Sequence, residues 1–358
     1  MFRLDDQEEL KKFNNSLLAD SIRGLSNQVK QVFEDLGSLE FSDKYKGIEN
    51  VVVCGMGGSG LGMRVLQSVY LQKTRMPMEL VNDYVLPNYV GKNTLVVLCS
   101  YSGSTEETLS AFEDAQNKNA IVTYLSAGGK LAEVVEQAGW QGYGFVPKNN
   151  PSNQPRMGLG YGITALLVLL GKLGVVDFSE AEEQIIVKAI DESNIRFDER
   201  VETANNQAKK VALEVLGRQA AIVSAEYLKG SAWVMRNQIH ENAKNYANAY
   251  FLPELNHHLL EGLGFPEGIF ERLYFVFIES ENFTKRIRQR FDVTRKVLDR
   301  QSIEYATFVP DQKAALAEVY EVLVFGSWVS YYLAFLNGID PAPIPFVDFF
   351  KEELAKLD

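Results

Sequence analysis

Residues 51–62 read VVVCGMGGSGLG, three valines and Cys54 running into a loop that crowds Gly55, Gly57, Gly58, Gly60 and Gly62 together. A short continuous apolar run bounded by such a turn is a strand buried on both faces. The glycines after it let a backbone come close to a ligand, phosphate above all, ahead of a helix N-terminus. The amphipathic stretch LGMRVLQSVYLQ completes a strand–loop–helix unit, and the same alternation continues outward through MELVN, TLVVLCS, AIVTYLS and YGFVP. This pattern predicts a parallel, doubly wound sheet covered by helices on both faces.

The chain becomes charged and helical from DFSEAEEQIIVKAIDES onward, and then AAIVSA, ANAYFLPE, RLYFVFIES and IEYATFVP repeat the strand signal. Upstream of the first strand, Leu17, Ile22, Leu25, Val29, Val32 and Phe33 recur at helical spacing. The expected fold is therefore α/β, with two doubly wound parallel-sheet domains in αβα layers and an N-terminal helix. The expected segments are a helical 1–40, a first domain over 41–190, and a second over 191–358 that ends in a C-terminal helix.

With 358 residues and 46% hydrophobic content, the chain can bury a large core. Its 36 Lys+Arg against 47 Asp+Glu leave a net charge of −11 and no basic arm, which argues against nucleic acid as a partner. The start MFRLDDQEELKKF lacks the basic-then-apolar order of a secretory leader. ITALLVLLGKLGVV is interrupted by Lys172 and falls short of the ~20 apolar residues a membrane span needs, so it reads as a buried helix. Cys54 and Cys99 each close an apolar run and read as small buried hydrophobes. A cytoplasmic protein without a membrane partner is expected.

Gly55, Gly57 and Gly60 fit the dinucleotide spacing G-x-G-x-x-G, and MELVNDY offers Asp83 for a ribose, so spacing alone leaves a nicotinamide cofactor open. A nucleoside triphosphate loop is excluded, because Leu61 and Gly62 follow Gly60 where Lys and Ser or Thr are required. The stretch SYSGSTEETL after TLVVLCS gathers Ser100, Ser102, Ser104 and Thr105 around Gly103. In a doubly wound sheet the first and third strands are neighbours at the switch point, so both loops open into one crevice. Several hydroxyls and two helix N-termini suit a single phosphomonoester better than a pyrophosphate. The spacing Ser104 to Glu107 also predicts a capping box.

GMGGSGLG together with SYSGSTEE resembles the sugar isomerase (SIS) domain. From about residue 50 to its end the chain resembles the bifunctional phosphoglucose/phosphomannose isomerase family, built from two such domains. The resemblance implies that Gly58, Ser59, Ser100, Ser102 and Thr105 bind phosphate. NQIHENAK (237–244) is similar to the family's N-x-I-N-E-N-A-K segment, which makes Glu241 the base. FLPELNHH (251–258) is similar to its E-L-N-H segment, which makes His257 the ring-opening acid/base, supplied across a homodimer interface. PRMGLGY (155–161) places Arg156 to counter the enediolate charge, and DPAPIPFVDFFKEEL places Lys351 near the sugar ring oxygen.

The resemblance also implies isomerisation of glucose 6-phosphate, and of mannose 6-phosphate, to fructose 6-phosphate through an enediolate, with no cofactor and no metal. HE at 240–241 opens an H-E-x-x-H pattern, but Lys244 stands where its second histidine belongs. Three departures stand out: His240 replaces an asparagine, Met157 and Gly158 replace small residues, and IVSAEYLKGSA lacks a glycine cluster, so one phosphate site per chain is expected. Two other readings stay open at this level. One is a non-catalytic SIS-type sugar-phosphate-binding regulator, and the other an NAD(P)-dependent oxidoreductase using Gly55, Gly57, Gly60 and Asp83.

Overall fold

A computed structural model describes residues 3–179 and 181–357. The N-terminal segment forms three helices where one was expected: α1 (Gln7–Phe13), α2 (Leu18–Arg23) and α3 (Leu25–Leu36). The first break falls at Leu17, whose φ of 56° takes it off the apolar face that its spacing predicts and leaves it 44% exposed. The second falls at Gly24, where a Cβ would lie 2.6 Å from the carbonyl oxygen of Asn149.

The first sheet is built from β1 (Asn50–Cys54), β2 (Met78–Val81), β3 (Thr94–Ser100), β4 (Ile121–Ser126) and β5 (Tyr143–Gly144) in the order β2-β1-β3-β4-β5, all parallel. Every residue of β3 and β4 is buried, as the unbroken apolar runs require of strands covered on both faces. The covering helices include α4 (Leu61–Tyr70), α5 (Glu106–Asn117), α6 (Gly129–Gln137) and α7 (Ala165–Lys172), the last being the apolar ITALLVLLGK run, buried as expected. Cys54 and Cys99 are buried and unpaired, and burial pushes the Cys54 thiol up to about 12.

Helix α8 (Ala181–Phe197) runs unbroken across residue 190, and α9 (Gln207–Val215) leads into the second sheet. That sheet contains β6 (Gln219–Ala225), β7 (Ala247–Leu252), β8 (Leu273–Ile278) and β9 (Tyr305–Phe308) in the order β7-β6-β8-β9, again all parallel. In chain order this repeats the first four strands of the first sheet, so both sheets share one winding and each has a switch point beside its first strand. The connecting helices are α10 (Lys229–Ala243), the single turns α11 (Leu259–Gly262) and α12 (Ile269–Arg272), and α13 (Lys285–Arg300).

Helix α14 (Ala315–Asn337) is long and apolar enough to cross a membrane by length and composition, yet 94% of its apolar window is buried, against α8, α9 and α10. It is a core helix. Trp328 stacks on Tyr332 and Phe325 on Phe308, and the helix stops at Gly338, whose φ of 68° suits a C-terminal cap. A proline-rich stem then leads to α15 (Pro345–Leu354).

Candidate active site

The two hydroxyl-bearing loops meet at the β1/β3 switch point, as expected. The Ser59 Oγ accepts the Tyr101 N–H at 2.9 Å, which stitches the glycine loop to the serine loop. Gly60 fits because a Cβ there would lie 2.7 Å from the Gly55 carbonyl oxygen, and Gly58 lies against the backbone of Pro155 and Arg156. The glycine loop thus touches both the preceding turn and the segment that presents the arginine. At the tip of β2 it is Asn82, not Asp83, that reaches the loop, donating to the Gly55 carbonyl. Asp83 is exposed and accepts from the Tyr84 N–H. The acidic residue that a ribose would need is therefore turned to a local task.

The capping box predicted from Ser104 and Glu107 does not form. Helix α5 begins at Glu106 with Thr105 as its N-cap, and no side chain bonds its first amides. The Thr105 hydroxyl pairs with Ser100 Oγ at 2.8 Å instead, while Ser100 Oγ also accepts the Gly103 N–H at 3.0 Å. Gly103, at φ 67°, packs so closely on Gly128 that a Cβ would overlap its carbonyl oxygen. Ser102 is exposed and accepts only the Ser104 N–H, at 3.3 Å. Uncapped amides of a helix N-terminus beside several hydroxyls form a seat for an anion.

Behind this seat lies Arg156, only 1% exposed, on the turn Pro155–Met157. Its Nε donates to Asn242 Oδ1 (2.6 Å), Nη1 to Gln154 Oε1 (2.8 Å) and Glu241 Oε2 (3.5 Å), and Nη2 to the carbonyls of Pro341 (2.8 Å) and Ala342 (2.7 Å). All five donors of a guanidinium are thereby used. Asn242 is held in turn by Ser330, and Gln238 by Ser327, both on α14. Gly158 admits the Tyr101 ring, since a Cβ would lie 2.7 Å from its Cε2, and the Met157 sulfur touches the Gln238 and Asn242 amides.

Glu241 sits on α10 with a side chain 28% exposed, its carboxylate facing Arg156. Burial raises its pKa above the ordinary glutamate value, and the positive charges of Arg156, Lys244 and Lys351 pull it back down. Burial likewise lowers Arg156, opposed by Glu241, Asp340 and Asp348. Lys351 is exposed on α15, within electrostatic reach of Glu241.

His257 is not brought to this cluster. It is exposed at the end of the turn Glu254–His257, and its ring makes no hydrogen bond among the described residues. His240 does not bear on Glu241: its Nε2 pairs with the backbone of Ala247 at the start of β7. Lys244, Asn82, Tyr101 and the Asp340–Ala342 carbonyls join the site without having been singled out for it from the sequence. Asn242, Gln238 and Lys244 lie in NQIHENAK, Tyr101 in SYSGSTEE, Asp340–Ala342 in DPAPIPFVDFFKEEL and Asn82 in MELVNDY, so each stands in a stretch that carries a signal although its own part does not show there.

The switch point of the second sheet is occupied by the chain itself. The Glu226 carboxylate, on a residue with φ 45°, accepts from both the N–H and the hydroxyl of Thr284, the N-cap of α13. A carboxylate of the chain itself thus meets the N-terminus of α13, where the first half leaves the N-terminus of α5 without a side-chain cap.

Residues 204–354 match the family described as the bacterial phospho-glucose isomerase C-terminal SIS domain. Across nearly its whole length the chain is similar to a bifunctional phosphoglucose/phosphomannose isomerase of Caldicellulosiruptor bescii, 32% identical over 343 residues that cover 94% of this chain and 99% of the relative. A protein of the same name from Aquifex aeolicus is 33% identical over 313 residues, covering 87% and 91%. Among solved structures, a hypothetical protein from Thermus thermophilus superposes with a TM-score of 0.72 at 17% identity, covering 97% of this chain and 94% of that one, which establishes the shared fold.

Proposed function

The chain belongs to the bifunctional phosphoglucose/phosphomannose isomerase family, and we propose which of its residues carry the reaction. It is a sugar-phosphate isomerase that interconverts glucose 6-phosphate and mannose 6-phosphate with fructose 6-phosphate. In our reading, Ser59, Ser100, Ser102 and Thr105 with the Gly58 backbone hold the phosphate at the β1/β3 switch point. Glu241 moves the proton between C1 and C2. A carboxylate lifted above its ordinary value by burial is better suited to returning a proton as well as taking it. Arg156 counters the enediolate by its fixed charge in a desolvated setting and by aiming Glu241, since all its donors are engaged.

Ring opening falls to Lys351 and to His257 of a second copy. The exposure of His257, and the Phe346 (85% exposed), Phe349 and Phe350 faces of α15, support a homodimer in which the site is completed. The occupied second switch point supports one phosphate per chain. Two buried free thiols support a reducing, cytoplasmic setting.

The observation that carries this reading is the Glu241 carboxylate set against a buried arginine beside an open phosphate seat. A coupled assay with glucose 6-phosphate, mannose 6-phosphate and glucosamine 6-phosphate tests it. Turnover of the first two with formation of fructose 6-phosphate is expected. Phosphate-ester binding without turnover would favour a regulator and overturn the assignment of Glu241.

A further inference from the structure

Lys244 occupies a position that its backbone does not favour. It is the C-cap of α10 with φ 49°, the left-handed conformation in which glycine or asparagine is usual. A lysine held there points to work done by its side chain. That side chain turns back on the site: Nζ donates to the carbonyls of Asp340 (2.9 Å) and Pro341 (3.1 Å) and approaches that of Asn242 (3.4 Å). Pro341 is the same carbonyl that Arg156 Nη2 holds, and Arg156 also holds Ala342.

Asp340–Ala342 is the stem between α14 and α15, and α15 carries Lys351. Pro341 and Pro343 have no N–H to give and the Ala342 N–H is spent on Asp340 Oδ1 (2.9 Å), so carbonyls are the backbone groups by which this part of the stem is gripped. Two cations from the catalytic cluster grip three of them in succession.

We propose that Lys244 is a positioning residue for the isomerase site: with Arg156 it clamps the Asp340–Ala342 carbonyls and thereby sets where α15 presents Lys351 to Glu241. This rests on the isomerase reading of Glu241 and Lys351, but the clamp itself is measurable without substrate. The charged groups that face Lys244 are Arg156, which repels it, and Asp340 and Glu241, which attract it. Burial is the largest effect and brings the ammonium down to about 8. The clamp therefore loosens as pH rises through that value.

Lys244→Gly separates the two roles, because glycine suits the left-handed backbone and cannot form the clamp. Its thermal midpoint should equal or exceed that of the wild type, while kcat for glucose 6-phosphate falls by roughly tenfold or more with a smaller change in KM. Amide exchange over 345–354 should quicken in the substrate-free protein, with α10 unchanged. Lys244→Arg should recover much of kcat and remove the loss of rate above pH ~8, because a guanidinium keeps its charge there. Wild-type kcat in Lys244→Gly, or exchange that is unchanged or quickened evenly along the chain, would overturn the proposal. Faster exchange confined to α15 in a protein whose wild type does not isomerise would uphold the clamp and sink the isomerase reading instead.

Discussion

Arg156 Nη1 stands 3.5 Å from Glu241 Oε2, joining a turn that leaves the first sheet to a helix of the second. The contact is the loosest of the five that the guanidinium makes, and the other four hold it in place whether or not Glu241 is charged. The arginine is thus the anchored member of the pair, which suits the role of proton carrier proposed for Glu241.

Replacing Glu241 by Gln should reduce kcat by at least ~10²-fold, the ordinary contribution of a positioned general base, while phosphate-ester affinity stays close to that of the wild type. Its effect on stability has the opposite sign. The folded carboxyl is raised above its unfolded value, so ionised Glu241 weighs against folding above its folded pKa and not below the unfolded one. Thermal midpoints of Glu241→Gln should match the wild type below the ordinary glutamate pKa and equal or exceed it as pH rises above the folded one. A variant that is less stable at neutral pH and still turns over would contradict both statements.

The phosphate seat separates hydroxyls that bind from hydroxyls that build. Ser102 is exposed and spans a single weak bond, so Ser102→Ala should leave the thermal midpoint unchanged and raise KM about tenfold with kcat preserved, as loss of one bond to a charged ligand does. Ser100 is buried and serves both Thr105 and the Gly103 N–H. Ser100→Ala should lower stability by roughly 1–3 kcal/mol as well. Equal effects of the two variants on denaturation midpoints would count against this division.

The fold was legible because its signals are local and redundant. VVVCG and TLVVLCS are apolar over their whole length, and the loops after them carry glycine and serine at positions where the backbone needs them. Where one residue's backbone decided the outcome, periodicity failed. Leu17 lies at helical spacing but adopts φ 56°, and the S-x-x-E of Ser104 and Glu107 falls out of register because the helix starts one residue later, with Thr105 as its N-cap. For the proposed site the motifs mark segments and not the contacts between them. Lys244 and the Asp340–Ala342 carbonyls lie nearly a hundred residues apart, and no pattern in the chain announces a contact between a side chain and a distant backbone oxygen.

Lys209 predicts how the N-terminal segment is anchored. Its ammonium is fully buried and donates to the carbonyls of Leu4 (2.7 Å) and Glu199 (2.8 Å) and to Asp5 (3.3 Å). Lys209→Met keeps the apolar stem but removes these bonds and orphans the Leu4 carbonyl, while Thr203 still donates to Asp5 and Gln7 to the Glu199 carbonyl, so the cost is roughly 1–3 kcal/mol. The urea midpoint should fall, and amide exchange over residues 7–23 should quicken ahead of the sheets. Retention of the wild-type midpoint would show that the segment is held by its apolar contacts alone.

Lys351 offers the test in which sign alone decides. Its positive charge is among the three that favour ionised Glu241 against burial, so removing it with Lys351→Met raises the Glu241 pKa further. A base works only when deprotonated, so the acid limb of kcat/KM must move to higher pH in Lys351→Met, and Lys351→Arg must return it toward the wild-type position. If Lys351 also opens the sugar ring, the plateau rate falls as well, but the limb still moves in the same direction. A drop in plateau with a stationary limb would leave Lys351 a role in ring opening and none in tuning Glu241. A limb that moved to lower pH would contradict the sign of the interaction and show that loss of the Lys351 side chain acts on the carboxylate by a route other than its charge.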